Sequence, residues 1–186
     1  MIINEMDSIR SKYKQFGVKD FYTFHGGDYK NPHELSIKKS IDYIYDNWNL
    51  DFSKVLDLAA GKGEITKILE IKGIKDIEAV DGYLSNEYMK ETGKKCYNMT
   101  FDDISKGSLR GRFYSLIICS YALHLLEESK LPMFLLQLPE ITDSLLIISP
   151  HKKPYIKDGW GWELKKEIEI DRVRCRYFAS TIKYNN

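Results

Sequence analysis

The stretch Lys54-Val-Leu-Asp-Leu-Ala-Ala-Gly-Lys-Gly-Glu-Ile-Thr66 decides the fold of this chain. Its apolar start leads into small residues that include Gly61 and Gly63, and isoleucines and leucines at helical spacing follow directly. This order predicts a strand, a tight turn and a helix, the arrangement at which open α/β sheets bind nucleotide-like ligands. The two glycines would let backbone N–H groups meet a polar ligand at the start of the helix. Asp57 stands near the end of the strand, where its carboxylate can reach the same cleft.

The composition is that of an ordinary globular chain, with 186 residues of which 43% are hydrophobic and 30% charged. A formal net charge of +1 gives no overall field that would favour nucleic acid or a membrane surface. Three widely spaced cysteines, Cys96, Cys119 and Cys175, fit buried free thiols better than a metal site or a disulfide framework. No apolar run approaches membrane-spanning length, and the first residues lack the pattern of a signal peptide. We therefore expect a cytoplasmic protein without a metal or a membrane partner, and a nuclear location stays open.

Strands and helices alternate along the rest of the sequence. Apolar runs predict strands at residues 76–81, 95–99, 113–120 and 144–149. Towards the end of the chain, three buried-type residues (Val173, Cys175 and Tyr177) alternate with arginines, as expected for an antiparallel strand with one covered face. These elements predict a three-layer α/β/α sandwich that closes with an antiparallel C-terminal hairpin.

Two further helices are predicted from caps and periodicity. Asn31 can cap the first of them, Pro32 suits its first position, and Glu34 stands three residues after the cap, where it can reach back. A second helical pattern runs over residues 123–138, and Pro132 breaks it.

Acidic residues follow the first three predicted strands, and together they describe an adenosine site. Asp81 is placed to accept hydrogen bonds from ribose hydroxyls, as in dinucleotide folds. Asp103 could accept from an exocyclic amine, and the Ile104 N–H could donate to a ring nitrogen. Tyr83 or Leu84 can pack on the aromatic face. Neither GxGxxG nor GxxxxGK[ST] is present, so we expect an adenosine ligand without a pyrophosphate.

With these motifs the chain resembles the class I S-adenosylmethionine-dependent methyltransferases. The segment 57–63 is similar to the first motif of that family, an acid followed by GxGxG, with Ala59 in place of the first glycine. Residues 80–83 are similar to the second motif, and residues 102–104 to the adenine-binding loop. Residues 117–124 occupy the place of the fourth motif, at the mouth where the methyl group is presented. The resemblance spans roughly residues 54–151, with the motifs in order.

The resemblance implies a mostly parallel seven-stranded sheet, S-adenosylmethionine as the cofactor and methyl transfer as the activity. It also implies a single methyltransferase domain over residues 1–186, with an N-terminal lid and helix (1–50), a cofactor-binding core (51–150) and closing strands (151–186). The N6 contact of the adenine is assigned to Asp103 rather than Asp102. The full set of expected cofactor residues is Asp57, Ala59, Gly61, Gly63, Asp81, Gly82, Tyr83, Asp102, Asp103, Ile104, Ser120 and, in the lid, Tyr29.

Three residues are candidates for a part in catalysis. Methyl transfer from a sulfonium is an in-line displacement in which positioning supplies much of the rate, so a general base is optional. His151 follows the fifth strand on the expected rim of the site, and His124 lies one turn into the helix after the fourth strand. Tyr121 could shape the acceptor pocket. Each of the three can also be explained as a packed or solvated side chain, and for His124 that explanation is the favoured one.

The motifs do not identify the methyl acceptor. The [DN]PP[YFW] pattern of many amine and amide methyltransferases is absent, and both a small molecule and RNA remain open, with or without a protein partner. Arg172, Arg174 and Arg176 share one predicted strand face and could follow a phosphate backbone, although a solvated outer face also explains them. Two other functions stay open: a non-catalytic methyltransferase-fold subunit that binds a partner or RNA, and a nicotinamide-dependent oxidoreductase.

Overall fold

A mixed sheet forms the centre of the computed structural model, which describes residues 33–150 and 152–184. Its strands are β1 (Val55–Leu58), β2 (Ile77–Val80), β3 (Cys96–Tyr97), β4 (Leu116–Ser120), β5 (Ser144–Ser149), β6 (Trp162–Ile170) and β7 (Val173–Ser180). The seven strands lie in the order β3-β2-β1-β4-β5-β7-β6. Every pair from β3 to β5 is parallel, whereas β7 runs antiparallel to both β5 and β6. The predicted fold class is confirmed.

Helices cover both faces of this sheet. They are α1 (Glu34–Asn47), α2 (Glu64–Ile71), α3 (Ser85–Thr92), α4 (Phe101–Ser105) and α5 (Leu131–Gln137). The helices α1 and α2 pack on one face, and α5 packs on the other. Two short 3₁₀ turns, Leu123–Leu125 and Leu138–Glu140, precede and follow α5.

The central strand β4 shows why its sequence is apolar without alternation. Successive side chains of a strand point to opposite faces. Ile117 and Cys119 join the core beneath α5, whereas Leu116 and Ile118 join the core beneath α1 and α2. All four side chains have no solvent-exposed surface. A strand that is covered on both faces therefore needs an apolar residue at every position.

The start of α1 differs from its prediction. The helix begins at Glu34 with His33 at the N-cap position. Glu34 is therefore the first helical residue rather than the third after the cap, and it cannot complete the predicted cap. Asn31 and Pro32 lie outside the described residues.

The predicted helix over residues 123–138 is divided in the structure. Only a 3₁₀ turn forms at Leu123–Leu125, and the α-helix starts at Leu131. Pro132 lies in the first turn of α5, where its missing N–H has no partner to lose. The proline therefore starts a helix instead of breaking one.

The arginines near the C-terminal end do not form the predicted stripe. Arg172 lies in the tight turn between β6 and β7, with a φ of 65°, and is not part of the strand face. Arg174 bonds to the carboxylates of Glu167 and Glu169. Arg176 is only 5% exposed, so the interpretation as a solvated outer face is wrong at this position. None of the helices in the described part of the chain has the length and apolar character needed to cross a membrane.

Candidate functional site

A cavity of about 760 Å³ opens where the parallel strands β1, β2 and β4 end. Its walls are the loops after these strands together with the first turns of α2, α3 and α4. Open α/β sheets bind their ligands at this edge, and the volume lies within the range of small-molecule sites. Eight of the predicted cofactor residues line the cavity: Asp57, Ala59, Gly61, Asp81, Gly82, Tyr83, Asp102 and Ser120.

The carboxylate of Asp81 joins the loops that follow β1 and β2. Its Oδ2 accepts a hydrogen bond from the Gly61 N–H at 2.9 Å. Its Oδ1 accepts from the N–H groups of Tyr83 at 2.8 Å and Leu84 at 2.7 Å. Burial raises the pKa of Asp81, and the three backbone donors oppose that rise. Because each carboxylate oxygen has two acceptor positions, Oδ2 keeps one position for a ligand hydroxyl.

Two residues at the cavity hold a backbone conformation that is unusual for residues with a Cβ. Ala59, after β1, has a φ of 56°, and Tyr121, after β4, has a φ of 54°. The left-handed region costs a residue other than glycine about 1–2 kcal/mol. Such strain is typical of functional loops whose geometry the surrounding structure enforces. Ala59 also stands where the first motif of the resembling family has its first glycine, and the positive φ gives the physical reason for that glycine.

The two glycines of the first motif act differently from their prediction. Neither N–H is available to a ligand, because Gly61 donates to Asp81 and Gly63 donates to the carbonyl oxygen of Ala60 at 2.8 Å. Gly63 does not line the cavity. It is the N-cap of α2, with a φ of 81°, and a Cβ there would lie 2.4 Å from Cγ2 of Thr92. Gly63 is therefore required by the packing of α2 on α3.

The adenine-binding prediction also needs correction. Asp103 does not line the cavity, because its carboxylate accepts hydrogen bonds from the N–H and the hydroxyl of Thr100 and caps α4. The Ile104 N–H donates to the Thr100 carbonyl oxygen and is not available to a ring nitrogen. Asp102 lines the cavity instead, and Lys130 lies 3.5 Å from one of its oxygens. Of the two neighbouring acids, Asp102 is therefore the one that faces the cavity.

Asp57 is the most deeply buried acid of the site, with 1% of its surface exposed. Its Oδ2 accepts from the hydroxyl of Thr66 at 2.7 Å and from the Thr66 N–H at 3.2 Å. Burial raises the pKa of Asp57 to about 8, the hydrogen bonds from Thr66 oppose the rise, and repulsion from Glu64 and Asp81 adds to it. The Thr66 hydroxyl also lies 2.9 Å from the hydroxyl of Tyr88, so one buried network links β1, α2 and α3.

The cavity wall carries an excess of acidic groups. The lining residues include two lysines, Lys62 and Lys130, and six residues with carboxyl groups: Asp57, Glu64, Asp81, Glu87, Asp102 and Glu127. Partly enclosed charges interact more strongly than charges in bulk water. The wall therefore favours a ligand that carries positive charge.

The sequence interpretation missed several residues that line this cavity. Phe101, Leu125 and Leu126 supply apolar surface, and Thr100 stands beside them. For Thr100, the sequence did contain a local signal. Thr100-Phe-Asp-Asp103 has the [ST]-x-x-[DE] spacing of a capping box, which would have assigned Asp103 to the helix start. The apolar residues carried no such signal because Phe101 at the start of α4 and the two leucines after β4 meet at the cavity only through the tertiary fold.

The three candidate catalytic residues have different positions. Tyr121 lines the cavity, its ring stacks on that of His33 at 5.1 Å between ring centres, and its buried hydroxyl has no hydrogen-bond partner among the described residues. Burial raises the pKa of Tyr121 to about 12. His124 lies in the 3₁₀ turn rather than one turn into a helix, and it does not line the cavity. His151, like Tyr29 of the expected lid, lies outside the described residues.

Comparison with known proteins relates this architecture to one fold. No protein-family model matches the sequence. The chain is 28% identical over 228 residues to an uncharacterized protein of Schizosaccharomyces pombe, and the match covers 93% of this chain and 92% of that protein.

Three solved structures are similar to the chain. A magnesium protoporphyrin IX methyltransferase from Synechocystis PCC 6803, crystallised with bound S-adenosylmethionine, has a TM-score of 0.66 at 14% identity and covers 88% of this chain and 95% of its own. A SAM-dependent methyltransferase from Aquifex aeolicus has a TM-score of 0.61 at 15% identity, with 82% and 94% covered. A putative RNA methyltransferase from Pyrococcus horikoshii has a TM-score of 0.58 at 19% identity, with 84% and 87% covered. The chain has the class I, Rossmann-like fold of S-adenosylmethionine-dependent methyltransferases.

Proposed function

We propose that this chain transfers a methyl group from S-adenosylmethionine to a small molecule or to RNA. The observation that carries the proposal is the buried carboxylate of Asp81, which faces a carboxyl-rich cavity at the ligand-binding edge of a methyltransferase fold. Similar structures include enzymes named for a porphyrin acceptor and for an RNA acceptor, and this supports both acceptor classes.

The residues at the cavity fit the chemical groups of this cofactor. The free acceptor position on Asp81 suits a ribose hydroxyl, and Asp102 can accept from an exocyclic amine. Phe101 and Leu84 offer apolar surface to an adenine ring. Asp57 keeps its proton at neutral pH, and the other five carboxyl groups of the wall suit the positive charges of the ammonium and sulfonium groups. The cofactor supplies an electrophilic methyl group on its sulfonium sulfur.

The chain's own contribution is mainly positioning. When two reacting groups are held in line at contact distance, their orientation alone accounts for much of the rate of reaction. Tyr121 lies at the end of β4 next to Ser120, and both line the cavity. With its pKa raised to about 12, the Tyr121 phenol keeps its proton at neutral pH. It therefore shapes the pocket or donates a hydrogen bond rather than serving as a general base.

Calorimetric titration with S-adenosylmethionine tests this function. Asp81→Asn keeps the shape of the side chain but removes its charge, and we expect about a tenfold or larger loss of affinity. Asp143→Asn is the matched control, since that exposed carboxylate lies outside the cavity, and its affinity should equal that of the wild type. If the wild-type chain does not bind S-adenosylmethionine, the proposal is wrong.

Activity needs a separate measurement from binding. We expect the purified chain alone to transfer a labelled methyl group to at least one member of a panel of small-molecule and RNA acceptors. If the chain binds the cofactor but methylates only when another protein is added, the alternative of a binding subunit within a larger enzyme is favoured.

A further inference from the structure

A second, smaller cavity of about 340 Å³ lies between the C-terminal hairpin and the segment that follows β5. Three cationic side chains line it, those of Lys152, Arg174 and Arg176. The only carboxylate among its described lining residues is Glu167, which already bonds to Arg174. The second cavity therefore has an excess of positive charge. The cavity of about 760 Å³ at the ends of β1, β2 and β4, called the cofactor cavity below, is acidic by contrast.

Arg176 is the unusual residue of this second cavity. Its side chain belongs to a residue that is only 5% exposed, and one nitrogen, Nη1, donates to the carbonyl oxygen of Pro154 at 2.8 Å. The other two nitrogens, Nε and Nη2, are buried and have no hydrogen-bond partner in the part of the chain that the structure describes. These two N–H groups form the side-on edge of a guanidinium, the fork that matches the two oxygens of a carboxylate or phosphate.

A buried charge without a full set of partners is costly, and native proteins rarely keep one without a reason. Burial lowers the pKa of Arg176, and the nearby Glu167 only partly opposes that change. An oxyanion in the cavity would supply the missing counter-charge, and a small shift of the Arg176 side chain that opened Nε and Nη2 to the cavity would let the oxyanion supply both missing hydrogen bonds.

The second cavity lies beside β7, two strands away from β4, whose end lines the cofactor cavity. Across the sheet, Ser120 of β4 pairs with Ile148 of β5, which pairs with Cys175 of β7, the neighbour of Arg176. Ser120 lines the cofactor cavity. Two strand spacings separate β4 from β7, a distance of about 10 Å. One small molecule can span this distance.

We propose that the cavity around Arg176 binds an oxyanionic group, a phosphate or a carboxylate, of a small-molecule methyl acceptor. The identification of the ligand as a methyl acceptor rests on the proposed function. The oxyanion site itself rests only on the geometry around Arg176. A nucleic-acid backbone fits less well because it needs a row of exposed cations. Arg172 lies apart in the turn, Arg174 is bonded to two glutamates, and Arg176 is buried.

The test uses inorganic phosphate and acetate as probes on the full chain. Each anion is titrated against a chloride reference at constant ionic strength, with the thermal midpoint and calorimetric heat as readouts. We expect phosphate or acetate, but not chloride, to bind the wild type. Binding should weaken about tenfold or more in Arg176→Gln and stay unchanged in the matched control Arg172→Gln. A response to phosphate alone identifies a phosphoryl group, and a response to acetate identifies a carboxylate.

A second variant guards against a simple folding defect. Arg176→Lys keeps the charge but loses the fork, so its anion affinity should fall below that of the wild type while its circular dichroism spectrum stays native. Equal affinity in Arg176→Lys, or an unchanged response in Arg176→Gln, would overturn the proposal. So would a wild type that ignores both anions but binds labelled RNA in an Arg176-dependent manner.

S-adenosylmethionine titration of the same variants separates the two proposals. Arg176 lies outside the cofactor cavity, so both Arg176 variants should bind the cofactor like the wild type. A wild type that binds phosphate but not the cofactor would leave the oxyanion site standing and remove the methyltransferase function.

Discussion

Among single residues, Asp57 couples the candidate site to pH. Burial raises its pKa from an ordinary 3.8 to about 8, and Glu64 and Asp81 add repulsion. Between pH 3.8 and about pH 8, the Asp57 carboxyl is protonated in the folded chain and ionised in the unfolded chain. The stabilising effect of this proton is complete below about pH 3.8 and is lost as the pH rises through about 8.

We therefore expect the contribution of Asp57 to the free energy of unfolding to fall as pH rises from about 3.8 to about 8, by up to about 1.4 kcal/mol per pH unit. Asp57→Asn cannot ionise, so its unfolding free energy should depend less steeply on pH. Urea unfolding of both proteins at several pH values in this range measures the difference. Parallel pH profiles for the two proteins would contradict the assignment.

Single residues also show where sequence reasoning succeeded and where it stopped. The position of Asp81 at the cavity could be predicted, because an acid directly after a parallel strand lies at the edge of the sheet where such cavities form. Asp103 was assigned to the ligand because two acids stood side by side, and only the local cap decides between them. Arg176 could not be predicted as buried, since alternation with apolar residues usually marks an outward face, and its cover comes from a distant segment that includes Pro154.

At the scale of elements, the contact between α2 and α3 depends on one glycine. A Cβ on Gly63 would lie 2.4 Å from Cγ2 of Thr92 and 3.2 Å from the ring of Tyr88. The hydroxyl of Thr92 is held by the Tyr88 carbonyl oxygen at 2.8 Å, and Tyr88 is wholly buried, so neither neighbour can move easily.

Comparison of Gly63→Ala with Gly73→Ala isolates this contact. Both glycines have positive φ, 81° and 85°, but a Cβ on Gly73 would meet nothing within 4 Å. Gly73→Ala should therefore lose only about 1–2 kcal/mol of unfolding free energy through backbone strain. Gly63→Ala should lose about 1–3 kcal/mol more because of the overlap. Equal losses in chemical denaturation would show that α3 yields to the added methyl group.

Elements were predicted well where a single physical cause decides them. The apolar run at residues 144–149 became β5 with the predicted ends, Ser144–Ser149, because a central strand must be buried on both faces. The segment over residues 123–138 was not predicted correctly because its apolar spacing suits a helix throughout. The loop after β4 instead uses part of that segment to line the cofactor cavity.

For the whole molecule, ligand-dependent stability distinguishes the proposed cofactor from the nicotinamide alternative. A ligand that binds only the folded chain adds about 2.7 kcal/mol at a concentration 100 times its dissociation constant. For a chain of this size we expect S-adenosylmethionine at that concentration to raise the thermal midpoint by about 5–10 °C, and NADH to leave it unchanged. Scanning calorimetry with each ligand makes the measurement. A rise with NADH alone would favour an oxidoreductase.

The global arrangement was predictable from order alone, because alternating strands and helices allow few unknotted, right-handed topologies. The chemical character of the two cavities was not predictable in the same way. It arises from residues far apart in the chain, such as Lys62 and Glu127 in one cavity and Lys152 and Arg174 in the other. A net charge of +1 conceals this separation of acidic and basic surfaces.

The acidic wall of the cofactor cavity has a consequence for turnover. When a sulfonium gives up its methyl group it becomes a neutral sulfide, so the spent cofactor carries one positive charge fewer. The carboxyl groups around Asp81 and Asp102 then attract it less strongly than they attracted the donor. In the proposed methyl transfer, the surface that gathers the methyl donor would therefore also favour release of the spent cofactor, and added salt should narrow the difference between the affinities of the two.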